Sequence, residues 1–127
     1  MKSILIAEGD RAVAGLFTDV FKRNMWTVDS STDANAAIDA LRGCRHYDVV
    51  LVSYQVGETN GVELTKLARS LEHRRTTPVV MITGGSGMEL EALRAGVTDV
   101  LHKPIDVNRL LALVAKYAQA GDQEAIS

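Results

Sequence analysis

Two segments of this chain are apolar almost throughout, instead of at alternate positions, and they restrict the fold more than any other feature. They read YDVVLV over residues 47–52 and PVVMIT over residues 78–83. Successive side chains of a β-strand point to opposite faces, so a strand that is apolar on both faces is covered on both. Such strands are typical of a parallel sheet between two layers of helices. The sequence therefore predicts an α/β fold.

Strands and helices are predicted to alternate along the whole chain. Apolar residues three and four positions apart indicate helices between the short β-rich segments. The predicted strands are residues 3–7, 26–29, 47–52, 78–83 and 99–101, and the predicted helices are residues 10–24, 34–41, 62–73, 88–95 and 104 or 106 to about 118. With right-handed crossovers, this order predicts a doubly wound, five-stranded parallel sheet with helices on both faces. We expect the flavodoxin-like strand order 2-1-3-4-5.

The sequence also predicts how individual helices begin, end and face the sheet. Thr32 or Asp33 is a candidate N-cap for the second helix. The inner face of the first helix is predicted to be formed by Val13, Leu16, Phe17, Val20 and Phe21. His73, Arg74 and Arg75 lie at the C-terminus of the third predicted helix, where positive charges interact favourably with the helix dipole. We interpret these three residues as a solvated helix end.

The composition fits one globular domain. The chain has 127 residues, of which 46% are hydrophobic and 24% charged, and its formal net charge is −2. This charge argues against a nucleic-acid-binding arm and against a polybasic membrane surface. No segment approaches a signal peptide or the roughly 20 apolar residues of a membrane span, so we expect a cytoplasmic protein. Residues 1–120 are predicted to form the domain, and residues 121–127 a polar tail that is disordered or begins a linker.

Four polar side chains stand at the predicted carboxyl ends of strands. They are Glu8, Ser53, Thr83 and Lys103. In open parallel sheets, ligands bind at the carboxyl ends of the strands. We therefore expect these four side chains to converge on one cleft.

Four segments resemble the receiver domain of two-component response regulators. The resemblance extends over about residues 3–118, and the spacing of the segments makes it specific. The segments are ILIAEGD, YDVVLVSYQVGETNGVEL, TPVVMITG and AGVTDVLHKPID. The resemblance implies a signalling module of a phosphorelay system, with no enzymatic activity of its own.

The resemblance also implies positions for a phosphorylation pocket. In that family, two acidic residues after the first strand help to hold Mg²⁺, and an aspartate that ends the third strand accepts a phosphoryl group from a histidine kinase. Carried over to this sequence, Glu8 and Gly9 take the two acidic positions, and Ser53 takes the phosphoacceptor position. The backbone carbonyl of Gln55 is a candidate inward-pointing group.

Three further positions of the pocket follow from the resemblance. Thr83 matches the hydroxyl residue of the family's switch, and Lys103 with Pro104 matches its Lys-Pro pair. The aromatic residue of the switch is replaced by Val100, which is β-branched and stiff. We therefore expect Thr83 and Val100 to transmit little rearrangement.

The replacements change the expected chemistry of the pocket. The Ser53 hydroxyl is a poor nucleophile unless a base activates it. Mg²⁺ is usually held by one or two carboxylates, and here Glu8 opposes the charge of Lys103 while Gly9 contributes none. Asp10 is expected to turn away into a helix cap. We predict that Mg²⁺ binding is lost or weak, that no other metal or cofactor is bound, and that Lys103 reaches Glu8 or Ser53.

These expectations favour a receiver-like module that works through protein–protein contacts without phosphorylation. Its partner would be a second copy, a histidine kinase or an effector domain, with no role for nucleic acid or membrane. The predicted contact surface is the face of the fourth helix, fifth strand and fifth helix. That face includes Met88, Leu90, Glu91, Arg94, Val100, His102, Arg109 and Tyr117.

Two alternatives remain at this point. The first is a phosphorelay receiver that is phosphorylated on Ser53 or a nearby acid with Mg²⁺. The second is a small flavodoxin-like enzyme or cofactor binder, which would need a hydroxyl-rich phosphate loop after the first strand. The segment EGDRAVAG contains no such cluster, and the glycines at 84–87 lack the spacing of a nucleotide-binding loop.

Overall fold

A computed structural model describes residues 1–126 of the chain, and its side chains from residue 1 to residue 119. The predicted alternation of strands and helices is confirmed. The strands of the main sheet are β1 (Ser3–Ala7), β2 (Thr27–Ser31), β3 (Val49–Ser53), β4 (Val79–Thr83) and β5 (Asp99–His102), and the helices are α1 (Arg11–Arg23), α2 (Ala34–Arg42), α3 (Gly61–Ser70), α4 (Glu89–Ala95) and α5 (Val107–Ile126). The predicted tail, residues 121–127, lies outside the described side chains and stays a prediction.

The main sheet is parallel, with the strand order β2-β1-β3-β4-β5. This confirms the doubly wound, flavodoxin-like arrangement. Every residue of β3 and β4 is buried, as their continuous apolar sequences predicted. The carboxyl ends of β1, β3, β4 and β5 consequently lie side by side at one edge of the sheet.

Each face of the sheet packs against its own set of helices. On one face, Leu5 and Val52 belong to a cluster with side chains of α2, α3 and α4. On the other face, Ile4 and Leu51 pack with Phe17 and Phe21 of α1 and with apolar side chains of α5. Each fully buried aliphatic or aromatic side chain contributes about 1.5–3 kcal/mol through its removal from water. These two layers hold the strand ends in place.

Two aspartates fix the start of the helices beside the sheet edge. The carboxylate of Asp10 accepts hydrogen bonds from the backbone N–H groups of Ala12 at 2.9 Å and Val13 at 3.2 Å. Asp33 accepts from the N–H of Ala36 at 2.8 Å. Asp10 therefore turns into the α1 cap, as expected, and Asp33 is the N-cap that the sequence left open between two candidates.

The predicted inner face of α1 is wrong at one position. Leu16 is 54% exposed, whereas Ala14, Phe17 and Phe21 are buried. The buried positions are spaced by three and four residues, so they form one stripe along the helix. Leu16 is one residue before Phe17 and is rotated by about 100° from that stripe.

The prediction that the basic segment after α3 is solvated is wrong for Arg74, whereas His73 and Arg75 are exposed. The helix ends at Ser70, three residues before the predicted end, and a short 3₁₀ turn follows. Arg74 in that turn is only 2% exposed, with its guanidinium 4.7 Å from the ring centre of Tyr47. It donates hydrogen bonds to the carbonyls of Leu41, Ala40 and Gly43. Arg74 thus caps the carboxyl end of α2.

A small hairpin lies between β3 and α3, in a segment outside the strands predicted from the sequence. Its antiparallel strands are Gln55–Val56 and Thr59–Asn60. Gly57 at the turn has a φ of +59°, a left-handed conformation that glycine adopts without strain. The hairpin brings the backbone back over the carboxyl ends of the main strands.

Candidate functional site

The strand ends surround one cleft. Glu8 follows β1, Ser53 ends β3, Thr83 ends β4 and Lys103 follows β5, and all four line an opening of about 590 Å³. The predicted convergence of these side chains is confirmed. The roles that the sequence assigned to these side chains depend on the chemistry of each one.

Glu8 is the most strongly perturbed group of the cleft. It is 4% exposed, and its Oε2 has no hydrogen-bond partner in the described part of the chain. Burial raises the pKa of Glu8 above its ordinary value, although the charge of Lys103 and the backbone N–H of Asp10 oppose the rise. Desolvation outweighs both because a buried carboxylate loses the water that stabilises its charge.

Lys103 does not make the direct contact that we expected. Its backbone N–H donates to the carbonyl of Thr83 at 2.9 Å, and its peptide bond to Pro104 is cis. In the region that the structure describes, its ammonium forms no ion pair or hydrogen bond with Glu8 or Ser53, so the interaction with Glu8 acts across the cleft. The ammonium is exposed to solvent, and water competes with a partner for its hydrogen bonds.

Ser53 is the last residue of β3 and is 6% exposed. Its backbone is fixed by pairing with Ile82 of β4. The Ser53 hydroxyl makes no hydrogen bond to any side chain that the structure describes, Glu8 included. Because no base holds this hydroxyl, its nucleophilicity is that of an ordinary alcohol.

Thr83 is buried and its hydroxyl is already engaged. It donates to Sδ of Met88 at 2.8 Å and accepts from the backbone N–H of Gly85 at 3.1 Å. The Thr83 hydroxyl therefore bonds to the segment that leads into α4. Met88 was predicted to lie on a contact surface, and its hydrogen bond with Thr83 was not predicted. No local sequence pattern links a threonine to a methionine in the following loop.

Gly9 lies under the hairpin. A Cβ atom on Gly9 would be 2.9 Å from the backbone nitrogen of Gly57 and 3.4 Å from the carbonyl oxygen of Gln55. The carbonyl of Gln55, a sequence candidate for an inward-pointing group, thus lies close to Gly9. The backbone leaves no space here for a side chain.

Val100 is half-buried on β5 and packs against the cluster that α2, α3 and α4 share with the sheet. A hollow of about 150 Å³ lies beside it, between β5 and the start of α5. On α4, Leu90 is 60% exposed and Leu93 54% exposed, and Leu90 lines a groove with Lys66 and Arg69 of α3. Leu93 was not among the residues predicted for the contact surface.

The described residues contain neither a candidate metal-binding cluster nor a candidate membrane-spanning helix. No group of three or more His, Cys, Asp or Glu residues within them is placed to hold a metal ion. None of the helices described is both long and apolar enough to cross a membrane.

Comparison with known proteins identifies the family. The family model of the response regulator receiver domain matches residues 4–115. The chain belongs to this family. Receiver domains are signalling modules of two-component systems, and the resemblance noted from the sequence is confirmed at that level.

Curated relatives of this receiver domain differ in length. Response regulator ArlR of Staphylococcus epidermidis is 28% identical over 116 residues, which cover 90% of this chain and 51% of ArlR. Polar-differentiation response regulator DivK of Brucella ovis is 28% identical over 118 residues, covering 91% of this chain and 95% of DivK. Signal transduction histidine-protein kinase BarA of Shigella flexneri is 34% identical over 73 residues, 56% of this chain and 8% of BarA. The chain thus spans about half of ArlR and a small part of BarA.

Solved structures share the fold of this receiver domain. A CheY-like receiver domain protein from Methanospirillum hungatei has a TM-score of 0.90 at 21% identity, over 98% of both chains. The receiver domain of a sensor histidine kinase from Pseudomonas aeruginosa has a TM-score of 0.84 at 22% identity, over 93% of this chain and 98% of that one. A magnesium ion is coordinated in the active site cleft of the Pseudomonas domain.

Proposed function

We propose that this receiver domain signals through protein–protein contacts and does not depend on phosphorylation. The composition of the cleft carries the proposal. Among the described residues that line it, Glu8 is the one buried carboxylate. Ser53 and Gly9 stand where the family resemblance expects the phosphoacceptor and the second acid.

The chemistry of Ser53 supports this proposal. Phosphoryl transfer requires a positioned nucleophile and a cation that spreads the phosphate charge. Ser53 offers a neutral hydroxyl without a bonded base, and a neutral serine is a poor nucleophile. A phosphoserine ester would also be stable and would need a separate phosphatase, unlike the labile acyl phosphate of an aspartate.

The donors around the cleft do not fit a Mg²⁺ site. Mg²⁺ prefers six oxygen ligands in octahedral geometry, usually with one or two carboxylates among them. Glu8 alone fits, because its Oε2 has no partner. Gly9 has no side chain, the carboxylate of Asp10 is bound to the first N–H groups of α1, and the charge of Lys103 offsets that of Glu8. We infer that Mg²⁺ binds weakly or not at all.

The contact surface that we propose is the face of α4, β5 and α5. On α4, Leu90 and Leu93 expose large apolar side chains three positions apart, and neighbouring exposed apolar side chains indicate a contact site. Val100 replaces the aromatic residue of the family's switch, so the switch position on this face has no aromatic side chain to move. The partner is a second copy, a histidine kinase or an effector domain, in keeping with the kinase and regulator relatives.

Intact mass after incubation with acetyl phosphate and Mg²⁺ tests the absence of phosphorylation. We expect the mass of the wild-type protein to stay unchanged. A gain of one phosphate would instead favour the alternative, a phosphorelay receiver with a non-standard acceptor. The Pseudomonas receiver domain serves as the positive control for Mg²⁺ binding in a parallel calorimetric titration, and Ser53→Asp should bind the ion more tightly than wild type.

Capture of partners from native-cell extract tests the contact surface. We expect Leu90→Asp to lose the partner that wild type captures. Leu16→Asp is the matched control, because Leu16 is similarly exposed but lies on α1. Equal capture by both variants would contradict the proposed surface.

A further inference from the structure

Two opposite charges face the same cleft without pairing to each other. Oε2 of Glu8 has no hydrogen-bond donor among the residues whose side chains are described, and Glu8 is only 4% exposed. Lys103 lines the cleft with its ammonium in solvent and forms no ion pair with a residue that the structure describes. A buried acceptor without a donor is destabilising by about 1–3 kcal/mol, more when it is charged. A donor that enters the cleft would remove this penalty.

The remaining polar groups near Glu8 are already used. The carboxylate of Asp10 accepts two backbone hydrogen bonds at the start of α1. The Thr83 hydroxyl is shared between Met88 and Gly85. Glu8 and Lys103 therefore stand out as the charged groups of the cleft that are available to a ligand.

The cleft is larger than a site for a single ion. Its volume of about 590 Å³ lies within the range of sites that hold small organic molecules, about 300–1,000 Å³. The residues that line the cleft include Tyr54, Ile82 and Met88. An aromatic residue in the lining suits an organic ammonium group, because the face of an aromatic ring attracts cations.

We propose that the cleft binds a small zwitterionic molecule. Its ammonium group donates to Oε2 of Glu8, and its anionic group pairs with Lys103. A simple cation would be repelled by Lys103 and a simple anion by Glu8, whereas a molecule with both charges uses both groups. This site rests on the proposed function, since a cleft that took up phosphate and Mg²⁺ would have other occupants.

Titration with a series of amino acids of increasing chain length tests the site. The probes are glycine, β-alanine, γ-aminobutyrate and ε-aminocaproate, followed by amide chemical shifts of the ¹⁵N-labelled full chain. We expect saturable shifts at Gly9, Tyr54 and Gly84 with at least one probe. Butylamine and butyrate, which each carry one of the two charges of γ-aminobutyrate, should bind at least tenfold more weakly than the best probe.

Variants assign the two ends of the ligand. Glu8→Gln and Lys103→Gln should each weaken the best probe at least tenfold, with far-ultraviolet circular dichroism checking that the fold persists. Glu58→Gln and Lys116→Gln are the matched charge controls, because both residues are exposed and neither lines the cleft. No saturable binding by any probe, or binding insensitive to Glu8→Gln, would overturn the site.

The two experiments test the ligand site and the proposed function separately. A phosphate gain in the mass measurement overturns phosphorylation-independence, whatever the titration shows. Absence of saturation in the titration overturns the ligand site, even when the mass of the protein stays unchanged with acetyl phosphate.

Discussion

The α-carbon of Gly9 lies against the backbone N–H of Gly57, so closely that a Cβ on Gly9 would be 2.9 Å from that nitrogen. The absence of a side chain at position 9 and the fold of the hairpin are therefore linked. The hairpin backbone occupies the space that a side chain on Gly9 would need. Introducing an acid there requires the hairpin to move as well.

This contact predicts that Gly9→Ala destabilises the domain. The added methyl group forces the hairpin to shift, and overpacking of this kind costs about 1–3 kcal/mol. Gly15→Ala is the matched control, because a Cβ at Gly15 meets no atom within 4 Å and the residue lies inside α1. We expect Gly15→Ala to stabilise by up to about 1 kcal/mol through helix propensity. Urea unfolding measures both, and similar effects in the two variants would contradict the hairpin contact.

Arg74 is predicted to be essential for stability although its neighbour is not. Arg74→Ala removes three hydrogen bonds to the carbonyls at the end of α2 and the contact with the Tyr47 ring. We expect a loss of about 2–4 kcal/mol in the free energy of unfolding. Arg75→Ala should change it by less than about 0.5 kcal/mol, since Arg75 is exposed. A tolerated Arg74→Ala would show that the cap is dispensable.

Asp48 is predicted to make the domain sensitive to acid. Burial acts to raise the pKa of Asp48, but the N–H of Ser3, the ring of His46 and the charge of Lys2 outweigh it, so the pKa lies below its ordinary value of 3.8. A carboxyl whose pKa is lower in the folded state than in the unfolded state stabilises the fold at pH values above its unfolded-state pKa. That stabilisation is lost as the pH falls through its folded-state pKa.

Urea midpoints at about pH 6 and about pH 3 measure this loss. We expect Asp48→Asn to show a smaller decrease between the two than wild type. Asp39→Asn, at an exposed carboxyl on α2, should follow the wild-type decrease. An unchanged decrease in Asp48→Asn would rule out Asp48 as a source of the acid sensitivity.

The charge of Glu8 is predicted to make the fold less stable as pH rises, which is opposite to the effect of Asp48. Burial raises the pKa of Glu8 above its ordinary value of 4.5, so folding becomes less favourable as pH rises through the region where Glu8 ionises. The neutral amide of Glu8→Gln avoids that penalty. We expect the variant to unfold at a higher urea concentration than wild type near neutral pH, with the difference shrinking in acid. A variant less stable than wild type at neutral pH would show that the Glu8 charge has a stabilising partner.

The hydroxyl of Thr83 is predicted to order the loop before α4. Thr83→Val keeps the shape of the side chain but removes the acceptor of the Gly85 N–H. We expect faster hydrogen exchange at the Gly85 amide. Met88→Leu, which removes only the sulfur acceptor, should leave the Gly85 exchange rate close to that of wild type. Equal acceleration in both variants would mean that Met88, not the hydroxyl, orders the loop.

Local sequence patterns were sufficient to predict the strands and helices of the fold. The unbroken apolar run of β3 predicted a covered parallel strand, and Asp10 was recognised as a cap, because both signals depend only on neighbours in the sequence. The carboxyl ends of the predicted parallel strands then placed Glu8, Ser53 and Lys103 around one cleft.

The features that were missed depend on contacts between distant segments. Arg74 caps a helix that ends about thirty residues earlier, with bonds that span sequence separations of 31 to 34 residues. The hairpin at Gly57 contacts Gly9, and the exposure of Leu16 depends on the rotation of α1 about its axis. The expected contact of Lys103 with Glu8 failed because charge alone does not set a distance, and a solvated lysine pays side-chain entropy to hold one position.

The edge of the sheet formed by β2 has a consequence for assembly. Its sequence, TVDSS, is polar, and the carboxylate of Asp29 there is bound by Arg45 at 2.8 Å and by the hydroxyl of Tyr47 at 2.6 Å. A foreign strand that docked along β2 would have to desolvate this cluster of charges. This polar border therefore disfavours fibril growth by strand addition.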